Sequence, residues 1–159
     1  MPTIYLITGP TQTEKTTRLS LWIAGQKDAG GLLSPILFGR RCFLDIRSQE
    51  WRPMEAELNE KNIQQVGRYT FSGSAFDWAN KVLLQTAQLP EIKLLVIDEI
   101  GPLELQGKGL APAFDYIINN LRPDQNLVLV IREKIAESII MLYNLNQYEV
   151  RLLNQEAIG

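Results

Sequence analysis

The spacing of apolar segments along this chain predicts an α/β fold, with an open, mainly parallel sheet, helices on both sides and an added β-hairpin. Strand-like and helix-like stretches alternate through the second half, the order that a parallel sheet with crossover helices requires. Leu94-Leu95-Val96-Ile97 is apolar without alternation, as expected of a strand covered on both faces. The opening residues read as strand, loop and helix in direct succession.

Taken in order, residues 3 to 8 are β-branched and aromatic-rich and run into Gly9-Pro10, a buried strand ending in a loop. From Lys15 to about Gln26, Leu19 and Ile23 recur at helical spacing. Gly30-Gly31 opens an extended run, Leu32 to Phe38, and a second run, Arg41 to Ile46, follows Gly39-Arg40, the pattern of a hairpin. Residues 47 to 66 are polar and lack clear periodicity, with Trp51-Arg52-Pro53 as a break, so loop or short helix is expected. Ser74-Ala75-Phe76-Asp77 reads as a capping box with Asp in place of Glu, and Phe76, Ala79, Leu83 and Ala87 then share one helical face up to Pro90. After the strand at 94 to 97 come a helix from about Leu110 to Leu121, a strand from Asn126 to Ile131, a helix from about Lys134 to Leu145 and an extended stretch, Tyr148 to Leu153.

Composition narrows the chemistry. A chain of 159 residues reads as a single domain over 1–159, and 45% hydrophobic against 21% charged residues is a globular balance. The net charge of -2 and the short, interrupted arginine spots give no footprint for nucleic acid. With no histidine, any Ser-His-Asp or Cys-His nucleophile system is excluded, so an enzyme here works with carboxylates, Lys, Arg, hydroxyls or a bound metal. Cys42 is the one cysteine, which excludes an intramolecular disulfide and fits a reducing compartment; in a hairpin strand it is expected to be an inert buried residue. The start Met1-Pro2-Thr3-Ile4 lacks a charged leader region and no apolar run approaches a membrane span. A cytoplasmic protein with no membrane partner is expected.

Gly9-Pro10-Thr11-Gln12-Thr13-Glu14-Lys15-Thr16 fits the phosphate-binding pattern GxxxxGK[ST] except at Glu14, where the second glycine belongs. In such a loop, backbone N–H groups cradle phosphate oxygens, the lysine reaches the β- and γ-phosphates, and the next hydroxyl ligates Mg²⁺. Residues 9 to 16 and Thr17 are therefore the candidate nucleotide site, with Lys15 neutralising phosphate charge and Thr16 a metal ligand. Asp98 and Glu99 close the apolar strand, and in open α/β sheets ligands bind at the carboxyl ends of strands. Asp98 is the candidate acid for Mg²⁺, and Glu99 is placed to polarise an attacking water. Each half alone is a common pattern; strand, loop, helix and a later acid-ended strand together are much less so. Arg40, Arg41 and Arg132 are candidates for stabilising transferred charge, and Tyr69 and Phe71 for stacking on a base, although most arginines are simply surface and most aromatics core.

Val96-Ile97-Asp98-Glu99-Ile100-Gly101-Pro102-Leu103-Glu104-Leu105 resembles the extended Walker-B signature of the small P-loop nucleoside-triphosphatases related to nucleotide kinases, the cancer-related nucleoside-triphosphatase family. Gly39-Arg40-Arg41 to Asp45-Ile46, and Arg68-Tyr69-Thr70-Phe71 leading into Ala75-Phe76, support the likeness over most of the chain. The resemblance implies a RecA-like P-loop NTPase core and Mg²⁺-dependent hydrolysis of nucleoside triphosphates such as ATP or GTP, with loose base preference. It assigns Lys15 and Thr16 to phosphate and metal, Asp98 to the metal and Glu99 to the water. Glu104 belongs to the signature either as an anchor for the turn at Gly101-Pro102 or as a catalytic part.

Glu14 is the departure. A carboxylate about 4 Å from a phosphate charge costs about 1 kcal/mol in bulk water and about 4 at an effective dielectric of 20. Turning outward, or pairing with Arg18 one helical turn on, would leave the low end of that range. Two alternatives therefore stand beside hydrolysis: a degenerate P-loop protein acting as a partner-binding module, and a nucleotide or nucleoside kinase.

Overall fold

The structure, a computed structural model, describes the backbone of residues 2–8 and 12–153 and the side chains of residues 2–8 and 17–153. Strand β1 (Thr3–Ile7) leads to helix α1 (Gln12–Ile23), followed by β2 (Ala29–Leu33), β3 (Ile36–Leu37), β4 (Arg40–Asp45) and β5 (Trp51–Pro53). A separate two-stranded ribbon, β6 (Ile63–Val66) and β7 (Tyr69–Ser72), runs into α2 (Gly73–Ala87). Then come β8 (Leu94–Ile100), the short α3 (Pro102–Leu105), α4 (Ala111–Asn119), β9 (Asn126–Ile131), α5 (Glu133–Leu142), a 3₁₀ turn (Leu145–Gln147) and β10 (Glu149–Leu153).

The main sheet has the order β10-β1-β9-β8-β2-β4-β3, with β5 also paired to β4. From β10 to β2 every pair is parallel, and β4 joins antiparallel to β2, β3 and β5. The alternation expected of a parallel core with an antiparallel attachment is thus present. Side-chain period two splits the apolar residues of each central strand between two cores. Leu95 and Ile97 of β8, with Leu127 and Leu129 of β9, face α2 and α4 through Phe76, Leu83, Phe114 and Ile118. Val96, with Val128 and Val130, faces α1 through Leu19 and Ile23. Each such fully buried aliphatic side chain contributes about 1.5–3 kcal/mol.

The hairpin around Gly39 forms where expected, with Leu37 opposite Arg40 and a two-residue turn at Phe38 and Gly39, both at positive φ (52° and 75°). That turn matches the twist of paired strands. The run 32 to 38 is nevertheless broken, because β2 ends at Leu33 and Ser34 turns toward β8. Gly31, at φ +123°, lies so close to β8 that a Cβ would stand 2.1 Å from the Val96 carbonyl oxygen.

Several expectations differ from what is seen. Residues 47 to 66 hold two strands, β5 and β6, rather than loop or helix. These strands, of 3 and 4 residues, are too short for periodicity to reveal. The cap of α2 is Ser72, whose hydroxyl accepts the Ala75 N–H at 3.1 Å, and not Ser74. Ser72 still has the extended backbone of β7 that a capping residue needs, whereas Ser74 is already helical and its hydroxyl donates to Glu60 at 2.7 Å. The helices expected at 15–26, 110–121 and 134–145 run instead over 12–23, 111–119 and 133–142.

Candidate active site

Sheet register brings the two sequence motifs to one level. Ile7 pairs with Val130, and Val130 with Asp98, so Asp98 stands two strands across from the end of β1. At about 4.8 Å per strand that is about 10 Å, with β9 between. Lys15 and Thr16 have helical backbone in the first turns of α1. The residues Gly9, Pro10 and Thr11 lie outside the described residues, as do the side chains of Gln12, Thr13, Glu14, Lys15 and Thr16. Thr17 is exposed on α1.

Asp98 is buried, at 1% exposure. Its carboxylate accepts the Ser34 backbone N–H at 3.0 Å, and the Ser34 hydroxyl donates to the Asp98 carbonyl. Residue alternation along β8 puts Asp98 on the side of Val96, the α1 side. Glu99 instead lines a cavity of about 430 Å³ on the other side, beyond β8 and beneath the β6–β7 ribbon. Of these adjacent acids, Glu99 borders the cavity, whereas Asp98 is buried beside Ser34, which also lines the cavity. Ser34 escaped the sequence reading; its only signal is an apolar run that stops at Ser34-Pro35.

Glu104 follows as the third acid, at 3% exposure. Its two oxygens accept the N–H groups of Gly101 (2.6 Å) and Leu110 (2.8 Å), closing the turn that carries the chain off β8. Tyr143 donates its hydroxyl to the Glu104 carbonyl at 2.6 Å. Burial pushes the Glu104 carboxyl up from 4.5 to about 7; the N–H groups of Leu110 and Gly101 oppose this, and the Glu99 charge adds to it. Gly109, at φ +64°, leaves the space, since a Cβ there would stand 2.1 Å from Glu104 Oε2. Of the two roles the sequence left open for Glu104, these contacts describe the anchor.

A family model described as NTPase matches residues 4–158, nearly the whole chain. The chain belongs to this NTPase family. Two solved structures share the fold. One is the crystal structure of THEP1 from the hyperthermophile Aquifex aeolicus, at 20% identity over 97% of this chain and 91% of that one, with a TM-score of 0.70. The other is the solution structure of a human cancer-related nucleoside triphosphatase, at 22% identity over 97% of this chain and 88% of that one, with a TM-score of 0.71. A comparison with curated protein sequences returned no match. Membership supports nucleotide binding and hydrolysis of nucleoside triphosphates as the general activity, a chemistry that generally uses a divalent cation. No helix among the described residues is long and apolar enough to cross a membrane.

Within this NTPase the three candidate arginines part company. Arg41 and Arg132 both line the Glu99 cavity, and Arg41 also donates to the Ser34 carbonyl at 3.2 Å. Arg40 turns to Glu57, 3.8 Å away on the surface. Tyr69 and Phe71 lie on the ribbon with rings 6.2 Å apart and 20° between planes, and both line the cavity. Phe71 and Phe43 meet Phe76 edge to face, at 5.8 and 4.8 Å, to form its inner wall. Glu55, Met54 and Val66 add to the walls from the stretch 47 to 66, whose lack of periodicity did not announce them, and Glu104 lines the cavity as well. Cys42 is fully buried, and burial raises its thiol pKa, as an inert residue requires.

Proposed function

We propose that this chain hydrolyses nucleoside triphosphates to diphosphate and phosphate, with Mg²⁺ and with loose base preference. The observation that carries the reading is the division of the two acids at the end of β8, with Asp98 on the α1 side and Glu99 on the open cavity. A metal-bound phosphate and an attacking group must approach from different directions, and the two acids are divided that way. Among the described residues no three Asp, Glu or Cys side chains cluster as a protein-only metal site. Mg²⁺ fits such a place, because it is commonly held by one or two carboxylates together with substrate phosphates. Asp98 and the Thr16 hydroxyl would hold it, and it would neutralise charge on the β- and γ-phosphoryl oxygens.

The chain's own groups supply the remainder. Lys15 binds the phosphates, helped by the N-terminus of α1, where helix dipole and unpaired N–H groups favour anions. Ser34 fixes the Asp98 carboxylate through a backbone donor, so it costs no reorganisation. Glu99 orients water and takes its proton, and Arg132, just after β9, adds positive charge beside it. Nothing among these groups reads a base edge, in keeping with loose preference. Phosphate release from ATP, GTP, CTP and UTP with and without Mg²⁺ tests the proposal, with Lys15→Ala as control. Equal release by that variant would sink it.

A further inference from the structure

The Glu99 cavity is larger than hydrolysis needs. Water occupies about 30 Å³ in the liquid, whereas this cavity holds about 430 Å³, within the range of about 300–1,000 Å³ usual for small-molecule sites. Its walls also carry aromatic surface that a bound water does not use. Tyr69 and Phe71 present nearly parallel rings from the ribbon, Phe76 closes the inner end, and Tyr69 is 57% exposed despite its size. Arg41 and Arg132 add positive charge to this aromatic lining, beside the acids Glu55, Glu99 and Glu104. An aromatic wall with charged groups around it suits a planar ring that carries a polar or anionic appendage.

Position defines the role. Asp98 lies on the α1 side of β8 and the cavity on the other, with Glu99 in the cavity lining and Ser34, which donates to the Asp98 carboxylate, at the border of the two. A nucleophile that Glu99 activates therefore comes from the cavity that Glu99 lines. Water is one such nucleophile, and a ligand filling the cavity can present another.

We propose that this cavity is a second-substrate site for a nucleoside or nucleoside 5′-monophosphate, whose 5′-hydroxyl oxygen or terminal 5′-phosphate oxygen, respectively, accepts the γ-phosphoryl group of the bound triphosphate. The base stacks on Tyr69 and Phe71, and Arg41 and Arg132 meet the phosphate of a monophosphate. In the transfer, the acceptor oxygen bonds to the γ-phosphorus as the bond from that phosphorus to the β–γ bridging oxygen breaks. The nucleoside diphosphate leaves with the electron pair. A 5′-hydroxyl gives its proton to the Glu99 carboxylate, whereas a phosphate oxygen is already anionic and gives none. The proposal rests on the triphosphate site of the preceding section.

The test incubates the full chain with Mg²⁺, γ-labelled ATP and, in separate arms, the common nucleosides and their 5′-monophosphates, and measures labelled acceptor beside free phosphate. Labelled acceptor should accumulate while free phosphate falls as the acceptor saturates, and the arms tell hydroxyl from phosphate acceptors. Tyr69→Ala should raise the half-saturating acceptor concentration about five- to 150-fold, the value of one lost stacking contact; Tyr69→Phe should restore it. Free phosphate with no labelled acceptor in any arm overturns the proposal. Calorimetric titration of the same acceptors without ATP reads the cavity independently of hydrolysis. Saturable heat whose midpoint Tyr69→Ala shifts by about the same five- to 150-fold factor supports the site even where no phosphate is released, and absence of heat overturns it. If Tyr69→Ala instead weakens ATP and acceptor equally, the cavity holds the base of the triphosphate itself and the second-substrate reading falls.

Discussion

Replacing Glu104 by Gln should flatten the dependence of stability on pH. In the fold its carboxyl titrates at about 7 instead of 4.5, chiefly because it is buried. Between those values the folded chain keeps a proton that the unfolded chain has lost, so the stability this group contributes is full below pH 4.5 and falls as pH rises toward 7. The difference of 7 − 4.5 is 2.5, which at 1.36 kcal/mol for each is about 3 kcal/mol. For a chain of this size that corresponds to about 6–12 °C in melting temperature. Gln keeps one acceptor oxygen but turns an NH₂ toward the second backbone donor, a loss of about 1–3 kcal/mol that does not vary with pH. Thermal melts of both proteins across this window separate the two effects: wild type should lose its advantage as pH rises, and the variant should not share that slope. Parallel curves would refute the account of Glu104 as a buried, proton-holding anchor.

Three further substitutions probe other parts of the argument. Gly31→Ala, whose Cβ would meet the Val96 carbonyl at 2.1 Å with φ at +123°, should cost about 2–6 kcal/mol from backbone strain and overlap; an unchanged melting temperature contradicts it. Arg122 donates to the carbonyls of Ala87, Leu89 and Ile92 at 2.9, 3.1 and 2.9 Å where the chain leaves α2. Arg122→Ala should lower stability in denaturant titration by about 1.5–3 kcal/mol, and a loss near zero would mean that Gln125, which also donates to Ala87 and Ile92, suffices. Glu14→Gly removes a carboxylate from the phosphate loop, so labelled nucleotide with Mg²⁺ should bind from several-fold to about a thousandfold more tightly. An equal affinity would show that the Glu14 side chain stands away from the phosphates.

The parallel core was legible because its signals are local and repeated: continuous apolar runs at 94–97 and 126–131, and helical spacing between them. Asp98 and Glu99 were legible for the same reason, as polar residues ending a buried strand. Alternation along a strand already puts neighbours on opposite faces; what sequence could not reveal is what stands on each face, since those walls are built by segments distant in sequence. Ser34 reaches Asp98 across 64 residues, and the aromatic wall comes from a ribbon whose strands have 4 residues each. Short strands carry too few residues for alternation to stand out, and their pairing depends on turns such as Gly67, at φ +56°. The cap of α2 was misplaced by two residues because Ser72 and Ser74 are both good capping types, and only backbone conformation chooses between them.

Phosphate release from ATP and Mg²⁺ in Glu99→Gln reads whether Glu99 activates the nucleophile for a phosphate held on the α1 side. The exchange keeps size and removes the proton acceptor, which general-base catalysis values at about a hundred- to ten-thousandfold. Release should fall by that factor while bound ATP, measured on the same sample, is retained. Undiminished release by Glu99→Gln would contradict the account.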